Sequence, residues 1–189
     1  MIATILPGSS NFHAVDYNER KVAKGVARLL EIQNFGALGE VRKPTPDELT
    51  QFLMEYSSMN PRIQKAQFHV AISCKGHEMS EQQLLDFTHR YLQEMGYAEP
   101  EQPWLIYSHN DTDNAHLHIV TSRVAPDGRK IQHDHERRRS QAVIDKILGT
   151  DRTQKTEQDL EAAKQYSFSS FAQFKAVMGS MGYEVFQKD

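Results

Sequence analysis

The sequence predicts an α+β fold, a central antiparallel sheet with helices mainly on one face, and three observations predict it. Residues 66–73, 103–109 and 116–124 carry the apolar alternation of strands, and the last two lie close enough to pair as a hairpin. Around them run segments with apolar residues at helical spacing and capping residues at their starts. The chain's 189 residues, 39% of them hydrophobic, suit one domain with a substantial core.

In order, Met1 to Leu6 reads as a strand closed by Pro7-Gly8-Ser9-Ser10, a turn offering Ser and Asn caps. Val15, Val22, Val26, Leu29 and Leu30 recur at helical spacing and predict a helix running towards Gly36, although Gly25 weakens it. Thr45 to Tyr56 opens with Thr-Pro-Asp-Glu, a helix start. Ala66 to Ser73 is a strand through Phe68, Val70 and Ile72. Ser80-Glu81-Gln82-Gln83 is a capping-box pattern, and Leu84, Leu85, Phe87, Tyr91, Leu92 and Met95 give that helix an apolar stripe ending at Gly96. Strands at Pro103 to His109 and His116 to Val124 follow, then an Asp127-Gly128 turn into a short strand at Lys130-Ile131 and a helix over Ser140 to Leu148. The core is expected over 1–148, with 149–165 a polar linker or coil. Residues 166–189 should carry a helix capped by Ser169 or Ser170, ending at Gly182, and a last strand from Tyr183 to Phe186.

Composition removes several functions. No apolar run approaches the roughly 20 residues of a membrane helix and no export signal opens the chain, so a cytoplasmic protein without membrane insertion is expected. A single cysteine, Cys74, supports neither an internal disulfide nor a cysteine-built metal site. The net charge of −3 argues against nonspecific coating of nucleic acid. It conceals a division: Gly76 to Gln102 holds six acids against one arginine, and Val120 to Arg152 holds eight basic residues against five acidic ones.

Of nine histidines, three crowd together as H-x-D-x4-H-x-H: His109, His116 and His118. Strand alternation sends His116 and His118 to one face, taken as wet, with Leu117 and Ile119 turned into the core. A symmetric hairpin across residues 110–115 sets His109 opposite His116 at a Cβ separation of about 5 Å. Three protonated imidazoles would repel at that distance, whereas three neutral ones suit a divalent cation and leave coordination positions open for a substrate oxygen. The other six histidines lack such spacing. Tyr17, on the first predicted helix, has Arg20 and Lys21 at i+3 and i+4, cationic neighbours for a phenolate or a phosphate ester. Six other tyrosines compete; Tyr107 points onto the histidine face, where it can simply pack. Arg137-Arg138-Arg139 is a basic run suited to a phosphate backbone.

These residues, together with Gly8-Ser9-Ser10, Tyr17-Asn18, Lys21-Val22, Lys24-Gly25, Phe68-His69-Val70-Ala71-Ile72, Met95-Gly96-Tyr97 and Asp127-Gly128-Arg129-Lys130-Ile131, resemble the nuclease domain of bacterial mobilisation relaxases of the MobP type, in the HUH endonuclease superfamily. The resemblance covers most of the chain. It implies strand-specific nicking and resealing of DNA at a plasmid or transposon transfer origin, with Tyr17 as the nucleophile that forms a 5′-phosphotyrosine. It further implies that His109, His116 and His118 hold Mg²⁺ or Mn²⁺, and that Asp111 orients a ligand histidine or takes the tyrosine proton. Arg20, Lys21, Lys24, Arg129, Lys130, Arg137, Arg138 and Arg139 are the expected DNA contacts. The expected partners are single-stranded origin DNA beside a hairpin, accessory mobilisation proteins and a coupling protein. Some members of the superfamily use a histidine nucleophile near the N-terminus, a place His13 occupies. Three alternatives stay open: a hydrolase that activates water at the histidines, a replication initiator or transposase of the same superfamily, and a binding module whose histidines hold a structural ion.

Overall fold

The computed structural model describes residues 1–39, 43–76, 78–149, 152–165, 168, 170–180, 183 and 185–186. Two compact units are present, Met1–Ile144 and Asp145–Asp189. In the first, five strands pair antiparallel in the order β1-β3-β5-β4-β2: β1 (Ile2–Ile5), β2 (Ala27–Gln33), β3 (Gln67–Ser73), β4 (Trp104–His109) and β5 (His116–Ser122). The α+β class and the β4–β5 hairpin are as expected.

Helices cover both faces of this sheet, where a mainly one-sided arrangement was expected. Helix α1 (His13–Ala23) and α2 (Pro46–Ser57) pack on the face bearing Leu105, Tyr107 and Val120, through Val15, Leu49 and Leu53. The opposite face carries Phe68, Val70, Ile72, Leu117 and Ile119, all buried. There α3 (Glu81–Met95) brings His89 to Glu31, which also accepts from Trp104 Nε1. Phe68 stacks on Tyr97 at 4.0 Å between ring centroids. Alternate residues of the central strands are apolar in both directions, so each face needs a cover.

Local signals explain most boundaries. Ser80 and Gln83 form the capping box of α3 and Thr45 and Glu48 that of α2, each cap contributing about 1 kcal/mol. The long helix read from Val15 to Leu30 is instead two elements. α1 stops at Ala23, Gly25 takes φ 72° and the chain turns back as edge strand β2. A bulge between Leu29 and Glu31 breaks the alternation of β2, so Ala27, Leu29 and Ile32 share the helix-covered face at a spacing that imitates a helix. The Ser and Asn caps foreseen for α1 are not used: its N-cap is Phe12, buried at φ 49°, and the Gln67 side chain accepts from Ala14 N at 3.0 Å.

Lys130 makes only an isolated bridge to Val124, so no strand forms at Lys130-Ile131. Helix α4 (Glu136–Ile147) starts earlier than Ser140, at the residue whose carboxylate grips Arg123. In the second unit α5 (Arg152–Lys164) occupies what was expected to be a linker or coil. Its Gln, Lys, Glu and Ala residues are good helix formers without an apolar stripe to announce them. α6 (Phe171–Ser180) has Ser170 Oγ accepting from Gln173 N, while Ser169 and Gly182 lie outside the described residues. Tyr183, Val185 and Phe186 are not in a strand, contrary to expectation, and Glu184 lies outside the described residues. The phenol of Tyr183 donates to Asp159 on α5 at 2.7 Å. No helix among the described residues is long and apolar enough to cross a membrane.

Candidate active site

Antiparallel register builds the site. His109 pairs with His116 across β4 and β5, and His118 stands two residues on, opposite Tyr107. Side chains at alternate positions share a face, and one potential ligand nitrogen of each histidine lies within 4.8 Å of the other two. The His109 and His118 rings stack at 4.1 Å, and His116 meets them edge-on at 5.2 and 5.4 Å. This face is not wet, as alternation alone suggested. α1 lies over it, leaving His109 and His118 buried and His116 the most accessible of the three.

The same helix delivers Tyr17. Its ring, 45% exposed, sits 5.9 Å from His118 and 6.1 Å from His109 between centroids. Lys21, one turn on, places Nζ 4.8 Å from the Tyr17 ring centroid and ion-pairs with Asp111 Oδ2. The other oxygen of Asp111 faces His116 Nε2 at 3.6 Å and His109 Nδ1 at 3.9 Å. Tyr17, Lys21, His109, Asp111, His116 and His118 are therefore brought together. His13 is exposed on the first turn of α1, and among the described residues no ring contact joins it to the cluster. Tyr107 is fully buried and packs beneath.

Electrostatics favour neutral imidazoles. Burial, reinforced by Lys21 and His116, lowers His109 to about 4. Burial and the neighbouring imidazoles lower His118 further still. His109 and His118 are therefore neutral, and three imidazole nitrogens converging at one point match what a divalent transition cation with open positions requires. The hydrogen bond from Lys21 holds Asp111 below its ordinary value. Burial of Lys21 works against its charge, but the bonds to Asp111 and Tyr17 keep it raised.

The other expected basic contacts divide. Arg20 is exposed and ion-paired with Asp16, and Lys24 is exposed at the end of α1. Arg129, Lys130 and the run Arg137 to Arg139 follow the C-terminal end of β5, a strand length of about 20 Å from His116. Arg129 is held by Glu99 and Asp127, Lys130 meets His133 at 2.9 Å, and Arg139 donates to the carbonyls of Met95 and Gln132. Arg137 and Arg138 are exposed. The structure thus does not bring these five to the histidines, because β5 runs away from the site before the chain reaches them.

Three participants escaped sequence reasoning. Asn18 Oδ1 lies 2.7 Å from His109 Nε2, His69 Nε2 lies 2.9 Å from His118 Nδ1, and Gln67 caps the helix that carries Tyr17. Alternation in β3 already turned His69 away from Phe68, Val70 and Ile72. Only the pairing of β3 with β5, which no local pattern encodes, puts it beside His118. A cavity of about 490 Å³ opens next to His109 and His116, lined also by Ser80, Leu84, Asn110 and Thr112, and gives the cluster access to a large ligand.

Residues 17–150 match the family described as Relaxase: MobA/VirD2-like, nuclease domain, a segment that spans well over half the chain and contains every residue of the cluster. No curated protein and no solved structure gives a significant match.

Proposed function

The chain belongs to the MobA/VirD2-like relaxase nuclease family, and from that premise we propose that it cuts and rejoins one strand of transfer-origin DNA through a covalent bond to Tyr17. The observation that carries the proposal is the Tyr17 ring standing about 6 Å from two of three clustered histidines while remaining open to solvent. Tyr17 Oη attacks the scissile phosphorus, the P–O3′ bond breaks, and the departing O3′ takes a proton from water, so that the products are a 5′-phosphotyrosine and a free 3′-hydroxyl. The ester keeps the energy of the broken bond, so the reverse attack by a 3′-hydroxyl reseals the strand.

His109, His116 and His118 would hold Mg²⁺ or Mn²⁺. A cation there supplies Lewis-acid neutralisation of charge on the non-bridging phosphate oxygens. Lys21, beside the phenol ring, stabilises the phenolate electrostatically. Asp111, held below its ordinary value by Lys21, suits a fixed anion that positions Lys21 better than it suits a proton acceptor, and the phenolic proton leaves to water. Single-stranded DNA is the partner this chemistry requires. A neighbouring hairpin, accessory mobilisation proteins and a coupling protein in the cytoplasm complete the proposal.

The test is a denaturing gel of the protein incubated with origin single strand and Mn²⁺. A slower covalent band is expected, absent with chelator and absent in Tyr17→Phe. Cleavage by Tyr17→Phe at the wild-type rate would instead mean that water is the nucleophile and overturn the proposal.

A further inference from the structure

Asn18 and His69 are buried polar side chains outside the three-histidine set, and each contacts one member of it from behind. Asn18 is unambiguous. Its Nδ2 donates to Ala14 O at 2.7 Å, so the oxygen facing His109 Nε2 at 2.7 Å is an acceptor, and His109 must carry its proton on Nε2. That leaves Nδ1 of His109 as the lone-pair nitrogen, on the side of Lys21 and Asp111. His116 is fixed in the opposite sense, its Nδ1 donating to the Asn114 carbonyl at 2.9 Å and leaving Nε2 free. Between His69 Nε2 and His118 Nδ1, 2.9 Å apart, a single proton is shared by two neutral rings. Only if His118 is the donor does its Nε2 keep a lone pair.

We infer that Asn18 and His69 are positioning residues that set the tautomers of His109 and His118, so that the site presents Nδ1 of His109 with Nε2 of His116 and His118. The inference rests on the proposed metal role of the cluster. It goes further in assigning work to two residues outside the three-histidine set. The physical reason is that a ligand imidazole needs its remote N–H engaged, which fixes the ring and raises the basicity of the coordinating nitrogen.

The experiment uses the whole chain. In metal-free wild-type protein near neutral pH, two-bond ¹H–¹⁵N imidazole spectra should show His109 as the Nε2–H tautomer and His118 as the Nδ1–H tautomer. Titration calorimetry with Mn²⁺ should then show about 10–100-fold weaker binding in Asn18→Leu and in His69→Phe. His69→Gln keeps an acceptor at similar reach and should recover most of the affinity, and nicking by the weakened variants should return at high Mn²⁺. A His118 Nε2–H tautomer, or a His69→Phe protein that binds Mn²⁺ as tightly as wild type, overturns the inference. Should either variant fail to fold, the wild-type tautomer spectra decide alone. Wild-type protein that binds no Mn²⁺ would refute the metal reading itself, an outcome distinct from a failed tautomer assignment.

Discussion

Strands β4 and β5 have two ends, and the same pair of strands treats charge differently at each. At the end formed by His109 and His116, three imidazoles backed by Asn18 and His69 turn nitrogens toward one another beside a single ion pair, Lys21 with Asp111. Beyond Ser122, Arg123 is clamped by both carboxylate oxygens of Glu136 at 2.6 and 2.9 Å, and Arg129 and Arg139 likewise bind carboxylates or carbonyls of the fold. One end leaves donor capacity unspent; the other consumes it in architecture. A basic residue near a site in sequence is thus a DNA contact only if the fold leaves its charge free.

The sharpest way to break this comparison is to remove a residue from each end. His118→Ala takes away one of three converging nitrogens. It should cost more than the roughly 10–100-fold loss of Mn²⁺ affinity typical of an outer partner, and should suppress nicking accordingly. Calorimetry and the adduct gel read both effects, and urea unfolding of the metal-free protein should show a loss of about 1–3 kcal/mol because buried His69 loses its partner. At the other end, Arg123→Met leaves the half-buried Glu136 carboxylate with only the Tyr97 hydroxyl and should cost about 3 kcal/mol in urea unfolding. Mn²⁺ affinity measured in the remaining folded protein should be unchanged. If Arg123→Met weakened metal binding as His118→Ala does, the two ends would be one coupled system.

How far these ends were legible in the sequence follows the range of the signals. The β4–β5 hairpin and the convergence of His109, His116 and His118 depend on period-2 alternation and a short loop, both local, and both were readable. Tyr17 stood out through Arg20 and Lys21, but its seat over the cluster depends on Gln67, fifty residues away, capping α1. β2 was misread because a bulge disguised its period. The place of Arg129 to Arg139 was not legible, because nearness along the chain to the histidine motif does not reveal that β5 runs from His116 away to Ser122 before the chain reaches them.

Acid provides an intermediate effect. His69 and His109 are held at about 4 in the fold, chiefly by burial, against an ordinary value of 6.5, and His118 lies lower. As pH falls below 6.5 the unfolded chain takes up protons that these folded rings refuse, so stability present at neutral pH is progressively lost between about 6.5 and 4. Above pH 7 these groups contribute no slope. Thermal melts of metal-free protein should therefore fall across that acid interval, and His69→Gln should flatten part of the decline. A melting temperature independent of pH from 7 to 4.5 would show that the histidine end is not buried against charge.

The smallest expected effect concerns Arg137 and Arg138, the two exposed arginines at the far end. If a single strand runs from Tyr17 along the sheet, each arginine meets a phosphate only once the strand is long enough to cover the roughly 20 Å of β5. Replacing both by alanine should lower the salt dependence of binding to a long oligonucleotide by about 1.4 in the log–log slope, at about 0.7 per phosphate contact. A short oligonucleotide that covers only the histidine end should bind the variant and the wild type alike. Fluorescence anisotropy at several salt concentrations measures both. Equal weakening of short and long strands would place these arginines within reach of the site, and the distinction between the two ends would then be one of side-chain partners and not of distance.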